Sequence, residues 1–134
     1  MSDHDSSLEH STKRILVVDD DRSVRDMLVR VLVEDGYKAE SAADGGLAVE
    51  MAAEQAFDLV LLDLGLPGKN GWETFINLTR ETPSLAVIII TARSNQRAIA
   101  ANLAADALFE KPLDFPTLLR TVGKLLFKPA SKLS

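Results

Sequence analysis

The chain has 134 residues, which is enough for one domain and too few for two separate hydrophobic cores. Acidic residues outnumber basic ones by 20 to 15, and the formal net charge of −5 argues against a nucleic-acid-binding surface. Without cysteine, and without an apolar stretch near the roughly 18 residues of a membrane span, the chain is expected to be a soluble, cytoplasmic protein with no membrane partner.

Both ends of the chain are predicted to be tails. Residues 1–12 are polar and lack periodicity, which is typical of a disordered segment. His4 and His10 lie there, and because isolated histidines in a tail are usually solvated, they are assigned no role. The folded domain is expected at residues 13–128, followed by a short tail at 129–134.

From Lys13 onward, short apolar runs alternate with segments of helical periodicity. Strands are predicted at residues 14–18, 37–42, 58–62, 86–90 and 107–109. A helix should follow each strand, the fourth at about 95–104 and the fifth from Phe115 to before Pro129.

Helix ends and buried faces follow from the same pattern. Asp21 and Asp44 are the expected N-caps of the first two helices, and Gly36 is expected to end the first. The apolar stripes predicted to face the core are Val24, Met27, Leu28, Val31 and Leu32, then Leu47, Ala48, Met51 and Ala52, then Trp72, Phe75 and Ile76, and finally Phe115, Leu118, Leu119 and Val122.

Strands alternating with helices predict an α/β fold with one parallel sheet covered on both faces. Polar side chains stand at the carboxyl ends of four of the predicted strands: Asp19 and Asp20, Asp63, Thr91, and Lys111. Because ligands of open parallel sheets bind in the crevice outside these ends, the five residues predict one pocket.

The chemistry of this pocket suits a cation and a phosphoryl group. Three carboxylates in one crevice would repel one another and raise one another's pKa values, a conflict that a divalent cation resolves. With oxygen ligands only, Mg²⁺ is the expected ion and Mn²⁺ the alternative. A carboxylate can also attack phosphorus, and the Thr91 hydroxyl and Lys111 ammonium would hold the phosphoryl oxygens. The set therefore predicts phosphoryl transfer.

Each of these residues also has a simpler interpretation. An acidic run after a strand is often a helix cap with solvated neighbours, Thr91 alone fits a cap of the fourth helix, and Lys111 alone fits a surface lysine before a turn. Their coincidence at successive strand ends favours the site. Dinucleotide binding has little support, because no glycine fingerprint follows the first strand.

With these motifs the chain closely resembles the receiver domain of two-component response regulators, in the manner of the single-domain chemotaxis regulators. The resemblance covers Lys13 to about Phe127. It rests on Val17-Val18-Asp19-Asp20-Asp21, Leu62-Asp63-Leu64-Gly65-Leu66-Pro67-Gly68 with Asn70-Gly71, Thr91-Ala92, and Lys111-Pro112. It implies a flavodoxin-like, doubly wound sheet with strand order 2-1-3-4-5.

The resemblance also implies a role for each residue of the pocket. Asp63 would be the phosphoacceptor. Asp20, Asp63 and the backbone carbonyl of Gly65 would bind Mg²⁺ directly, and Asp19 would hold it mainly through water. Thr91, Ala92 and Lys111 would form the phosphoryl-binding and switch group, and the bond before Pro112 would be cis. The phosphodonor would be a histidine kinase or a histidine phosphotransfer protein.

Two positions depart from the family pattern. An aromatic residue that moves inward with the threonine is common three residues before the lysine, where this chain has Leu108. Phe109 cannot simply replace it, because neighbouring strand residues face opposite sides. Phosphorylation should survive, but the usual aromatic switch is in doubt. The second departure is Ala104, where glycine is common.

The resemblance further implies that Gly65 and Arg93 set the lifetime of the phosphorylated state. These are the positions two after the phosphoacceptor and two after the threonine, and in the family they affect the access of attacking water. Substituting either residue should therefore change the decay rate.

Four interpretations remain open at this point. The leading one is a single-domain response regulator that signals by protein contact and catalyses only its own phosphorylation and dephosphorylation. The chain could also be the receiver of a larger DNA-binding regulator or hybrid kinase, or a receiver-like scaffold that is not phosphorylated. A Mg²⁺-dependent phosphatase is disfavoured, because Gly65 stands where a second carboxylate would be needed. Pairing through the fourth helix, fifth strand and fifth helix is a further expectation.

Overall fold

The computed structural model describes residues 13–65 and 71–127. The predicted tails at 1–12 and 129–134, and the turn residues from Leu66 to Asn70, lie outside the described residues.

Strands and helices alternate along the described chain. The strands are β1 (Arg14–Val18), β2 (Lys38–Ala42), β3 (Leu59–Asp63), β4 (Ala86–Thr91) and β5 (Ala107–Glu110). The helices are α1 (Arg22–Glu34), α2 (Gly45–Glu54), α3 (Gly71–Glu81), α4 (Arg97–Asn102) and α5 (Phe115–Leu126).

The strands form one parallel sheet in the order β2-β1-β3-β4-β5, which confirms the predicted doubly wound, flavodoxin-like fold. In this order β1 and β3 are neighbours, with Val18 paired to Leu62. The residues that follow these two partners, Asp19 and Asp63, therefore leave the sheet side by side.

Alternating strand side chains build a separate core on each face of the sheet. One face, with Leu16, Val60, Leu62 and Ile89 among its buried residues, packs against α2, α3 and α4. The other face, with Ile15, Leu59, Leu61 and Ile88, packs against Leu28 and Leu32 of α1 and Leu118 and Val122 of α5. Because β1, β3 and β4 are covered on both faces, their sequences are nearly continuous apolar runs.

For three residues the prediction that they face the core was wrong. Met27, Leu47 and Ile76 are 50%, 42% and 43% exposed. Each is the immediate neighbour of a buried helix residue, Leu28, Ala48 and Phe75 respectively. Adjacent helix residues point about 100° apart, so when one faces the sheet the other lies at the rim of the helix.

The helix caps agree with the sequence predictions. The Asp21 carboxylate accepts hydrogen bonds from the amides of Ser23 and Val24, and that of Asp44 accepts one from Leu47. Gly36 follows α1 with φ 101°, a left-handed conformation that glycine adopts without a steric penalty.

The fourth helix is shorter than the predicted 95–104. Asn95 and Ala104 have φ values of 65° and 62°, so neither can belong to a right-handed helix. Asn tolerates this conformation, whereas at Ala104 the close contact between its Cβ and its own backbone is a steric cost. The family departure at Ala104 is therefore a strained position.

Replacing Ala104 by glycine should stabilise the fold. The relief of left-handed strain, less the entropy that glycine adds to the unfolded chain, predicts a gain of about 0.5–1 kcal/mol in the free energy of unfolding, measured with urea. Ala101→Gly, inside α4, is the matched control and should lose about 1 kcal/mol. A loss at both positions would contradict the assignment of strain to Ala104.

Candidate functional site

The carboxyl ends of the strands open into a cleft of about 330 Å³. All five residues selected from the sequence line it. Its full lining is Asp19, Asp20, Asp21, Asp63, Gly65, Thr91, Ala92, Arg93 and Lys111. Gly65 and Arg93 therefore line the cleft through which water would attack the phosphorylated Asp63. Their influence on the lifetime of the phosphorylated state stays a prediction.

Three carboxylates crowd one side of this cleft. One oxygen from each of Asp19, Asp20 and Asp63 lies within 4.8 Å of the others. Asp19 and Asp63 are buried, at 1% and 5% exposure, whereas Asp20 is exposed. The crowding arises because β1 and β3 are neighbours and end at the same level of the sheet.

The two oxygens of Asp19 have different surroundings. Oδ1 accepts a hydrogen bond of 2.8 Å from the Asp21 amide. Within the described residues, Oδ2 is buried without a hydrogen bond, and the Lys111 ammonium lies 3.5 Å from it. Burial raises the pKa of the Asp19 carboxyl; the Asp21 amide lowers it and the charge of Asp63 raises it again, so that it lies above the ordinary value of 3.8.

The Asp63 carboxylate is held between a backbone amide and an ammonium group. Oδ1 accepts a hydrogen bond of 2.9 Å from the Gly65 amide, and Oδ2 accepts one of 3.3 Å from Lys111 Nζ. Burial by itself lowers the pKa of the Lys111 ammonium, but the charges of Asp63 and Asp19 outweigh it, so that this pKa lies above its ordinary value. Lys111 therefore remains a cation shared by two acids.

The chain around Asp63 and Lys111 is fixed by backbone contacts. The Leu64 amide donates to the Ile90 carbonyl at 3.0 Å. α3 begins so close to this turn that a Cβ on Gly71 would lie 2.5 Å from the Leu64 Cα. On the other side, the Lys111 amide donates to the Thr91 carbonyl at 2.8 Å, and the Lys111–Pro112 peptide bond is cis.

Thr91 is buried at the end of β4, with 1% of its surface exposed. Its Oγ1 accepts a hydrogen bond of 2.9 Å from the Arg93 amide, which leaves the rotatable hydroxyl proton to donate elsewhere. The N-cap of α4 is Gln96, so the interpretation of Thr91 as the cap of that helix was wrong.

A family model described as the response regulator receiver domain matches residues 15–123. The chain belongs to the response regulator receiver family. The resemblance seen in the sequence is thereby confirmed.

Relatives and solved structures agree with this assignment. The chain is 37% identical over 115 residues to the response regulator MprA of Mycobacterium leprae, covering 84% of this chain and 50% of MprA. MprA of Mycobacterium ulcerans is 38% identical over 115 residues, with the same coverage of each chain. The chain thus spans about half the length of the curated relatives it matches.

Two receiver structures overlay closely. The response regulator TrrA of Thermotoga maritima, in complex with Mg²⁺ and BeF, has a TM-score of 0.79 and 36% identity, covering 85% of this chain and 99% of TrrA. A CheY-like receiver domain of Methanospirillum hungatei has a TM-score of 0.82 and 31% identity, covering 85% of this chain and 93% of that one. No helix in the described parts of the chain is long and apolar enough to cross a membrane.

The donor atoms of this receiver fit a hard divalent cation. The cluster supplies carboxylate oxygens only, and the buried Oδ2 of Asp19 lacks the hydrogen bond that a buried acceptor normally has. Asp20 adds an exposed carboxylate that makes no hydrogen bond within the described residues. A cation between these groups would satisfy the orphaned oxygen and offset the mutual repulsion.

Leu108 and Phe109 lie on opposite faces of the sheet, as the alternation of strand residues predicted. Leu108 is half-buried and packs against the core shared with α2, α3 and α4, whereas Phe109 packs against the core shared with α1 and α5. Phe109 therefore does not occupy the place of the aromatic residue that is common in receivers.

One contact that the sequence patterns did not single out joins the first turn of α3 to the N-cap of α4. The indole Nε1 of Trp72, at the start of α3, donates to the side-chain carbonyl of Gln96, just before α4, at 2.9 Å. Trp72 was predicted only as a core residue, and an amide 24 positions away carries no sequence signal for such a bond.

Replacing Asp19 by asparagine should stabilise the metal-free protein at neutral pH. Asparagine keeps an oxygen for the Asp21 amide but removes one of the crowded charges. Because the pKa of Asp19 is raised in the folded state, its contribution to stability is complete below the ordinary value of 3.8 and is lost as the pH rises through the folded value.

The comparison is the free energy of unfolding of wild type and Asp19→Asn in urea with EDTA. We expect the variant to be more stable at about pH 7 and the difference to shrink toward about pH 3, where the acid is protonated in both states. Added Mg²⁺ should stabilise the wild type more than the variant. A variant that is less stable at neutral pH would show that the Asp19 charge is already compensated without a cation.

Proposed function

We propose that this receiver accepts a phosphoryl group on Asp63 in a Mg²⁺-dependent reaction and signals in the cytoplasm by protein contact. The observation that carries the proposal is the position of the Asp63 carboxylate. It is buried, 3.3 Å from the Lys111 ammonium, and shares a cluster with Asp19 and Asp20. This arrangement suits in-line attack on a phosphoryl group whose charge is neutralised on several sides.

Each residue has a defined part in this reaction. An Asp63 carboxylate oxygen attacks phosphorus, a new O–P bond forms, and the bond from phosphorus to the donor breaks, with the donor leaving with its electron pair. Mg²⁺, held by Asp19, Asp20, Asp63 and the Gly65 carbonyl, would supply charge neutralisation for the phosphoryl oxygens. Lys111 would move from its carboxylate partners to a phosphoryl oxygen, and the Thr91 hydroxyl and the Ala92 amide would donate to the others.

The partners follow from the family. The donor would be a histidine kinase or a histidine phosphotransfer protein, whose phosphohistidine N–P bond is the one that breaks. The output surface, and the surface for any pairing of two receivers, would be formed by α4, β5 and α5. If the chain is part of a longer regulator, as its coverage of MprA allows, this surface would instead contact the adjoining domain.

Intact mass after incubation with acetyl phosphate tests the phosphoacceptor directly. Wild type with Mg²⁺ should gain the mass of one phosphoryl group, and the gain should be absent with EDTA and in Asp63→Ala. Leu108→Ala, at a side chain outside the cleft lining, is the control expected to be phosphorylated like the wild type. Unchanged mass in wild type that demonstrably binds Mg²⁺ would favour the scaffold alternative.

The scaffold alternative is kept in view by one observation, the Leu108 side chain on the face where receivers commonly carry an aromatic switch. The same departure raises a second question, which is whether phosphorylation of Asp63 changes the contacts of α4. The single tryptophan reports on this, because the indole of Trp72 is bonded to Gln96 at the start of that helix.

With the proposed phosphorylation switch, we expect phosphorylation to change the fluorescence of Trp72. Movement of Thr91 toward the phosphoryl group would displace the segment up to Gln96 and alter the hydrogen bond of the indole. The measurement is tryptophan emission with Mg²⁺, before and after acetyl phosphate, with Asp63→Ala as the blank and Gln96→Ala as the variant whose response should be smaller. Identical emission from protein shown by mass to be phosphorylated would contradict a switch that reaches α4.

A further inference from the structure

Arg25, on the second turn of α1, reaches back to the strand end from which the acidic cluster starts. Its guanidinium Nη1 donates a hydrogen bond of 2.9 Å to the backbone carbonyl of Asp19, and the side chain is half-buried. Hydrogen bonds from a charged donor are stronger than those between neutral groups. Arg25 is absent from the cleft lining, so its contact is with the backbone that carries the acids.

The carbonyl that Arg25 holds belongs to the peptide joining Asp19 to Asp20. The rest of this turn is also tied down: the Asp19 amide donates to the Ala42 carbonyl at 3.2 Å, and the Asp21 amide donates to the Asp19 carboxylate at 2.8 Å. No hydrogen bond from the described residues holds the Asp20 carboxylate, which is exposed. The place of Asp20 in the cluster is therefore set by its backbone.

We propose that Arg25 is a positioning residue of the metal site. By fixing the Asp19–Asp20 peptide, it keeps the carboxylate oxygens of Asp19 and Asp20 within reach of a cation that Asp63 also binds. The inference rests on the proposed function in taking the three-acid cluster as the Mg²⁺ site. Arg25 itself touches neither the cation nor the phosphoryl group.

The sign of the effect separates positioning from charge. A guanidinium near the cleft repels Mg²⁺, so if Arg25 acted through charge alone, removing it would tighten Mg²⁺ binding. If Arg25 acts by holding the peptide, removing it makes the Asp20 backbone more mobile and weakens Mg²⁺ binding. The chain offers a matched control in Arg22, which lies on the same helix and carries the same charge. Among the described residues its ion pair is with Asp26, at 3.7 Å, on the exposed surface.

The experiment is a Mg²⁺ titration by calorimetry of wild type, Arg25→Met, Arg25→Lys and Arg22→Met, without any phosphodonor. Losing a group that orients a metal ligand typically costs 10–100-fold in affinity, and we expect Arg25→Met to bind roughly tenfold more weakly than wild type. Arg22→Met should bind as tightly as wild type or slightly more tightly. Arg25→Lys keeps a charged donor and should lie closer to wild type than Arg25→Met does.

A second readout concerns the metal-free protein. The Asp20 amide nitrogen shares its peptide with the Asp19 carbonyl. Its ¹⁵N chemical shift should therefore differ from wild type in Arg25→Met and match wild type in Arg22→Met. If Arg25→Met does not fold, Arg25→Gln replaces it. Glutamine lacks the charge and is too short to make the Arg25 hydrogen bond, so we expect the same weaker Mg²⁺ binding and the same change at Asp20.

Binding by folded Arg25→Met or Arg25→Gln as tight as wild type or tighter would overturn the inference, as would an unmoved Asp20 amide. If the variants and wild type all bind Mg²⁺ alike, only the role of Arg25 fails, and the phosphoacceptor proposal stands. If wild type binds no Mg²⁺, the proposed function fails and the role of Arg25 fails with it.

Discussion

The arrangement of this receiver depends on the crowding of carboxylates at the ends of two neighbouring parallel strands. The pairing of β1 with β3 places Asp19 and Asp63 side by side, and both are buried there. Lys111 is the cation that the described residues bring against them, and it is shared between the two acids at 3.5 and 3.3 Å. One ammonium cannot neutralise three carboxylates. The folded chain therefore keeps a negative excess at this edge, which a divalent cation and then a phosphoryl group can rebalance.

The same crowding explains why so much backbone is committed to this end of the sheet. Asp19 and Asp63 each accept a hydrogen bond from the amide two residues ahead, and Thr91 does the same for Arg93. These short loops hold the side chains at fixed positions, and fixed positions are what an electrostatic site needs, because it cannot rely on solvent to reorganise. Arg25 extends this support to the peptide before Asp20. Away from the cleft, Leu108 packs against the core shared with α2, α3 and α4, and the Trp72 indole is bonded to Gln96.

Much of this could be predicted from the sequence, because the relevant signals are local or periodic. Apolar runs ending in polar residues predicted the parallel sheet, and they predicted that five side chains would share one cleft, which they do. The errors have equally local causes. Met27, Leu47 and Ile76 sit one position from a buried helix residue, at the rim, where hydrophobicity does not decide exposure. The positive φ angles at Asn95 and Ala104 shorten α4, although helix propensity favours alanine. The hydrogen-bond partners of Arg25 and Trp72, six and 24 positions away, depend on how the side chains are placed in the fold, for which one sequence holds no signal.

The central claim is that the carboxylate cluster, Thr91 and Lys111 form one site for a cation and a phosphoryl group together. The most direct test is a Mg²⁺ titration of the whole chain with and without beryllium fluoride, which mimics a phosphoryl group on a carboxylate. Because coupling between two ligands of one site is reciprocal, beryllium fluoride should tighten Mg²⁺ binding, and Asp63→Ala should abolish the effect. A Mg²⁺ affinity that is identical with and without beryllium fluoride would contradict the account.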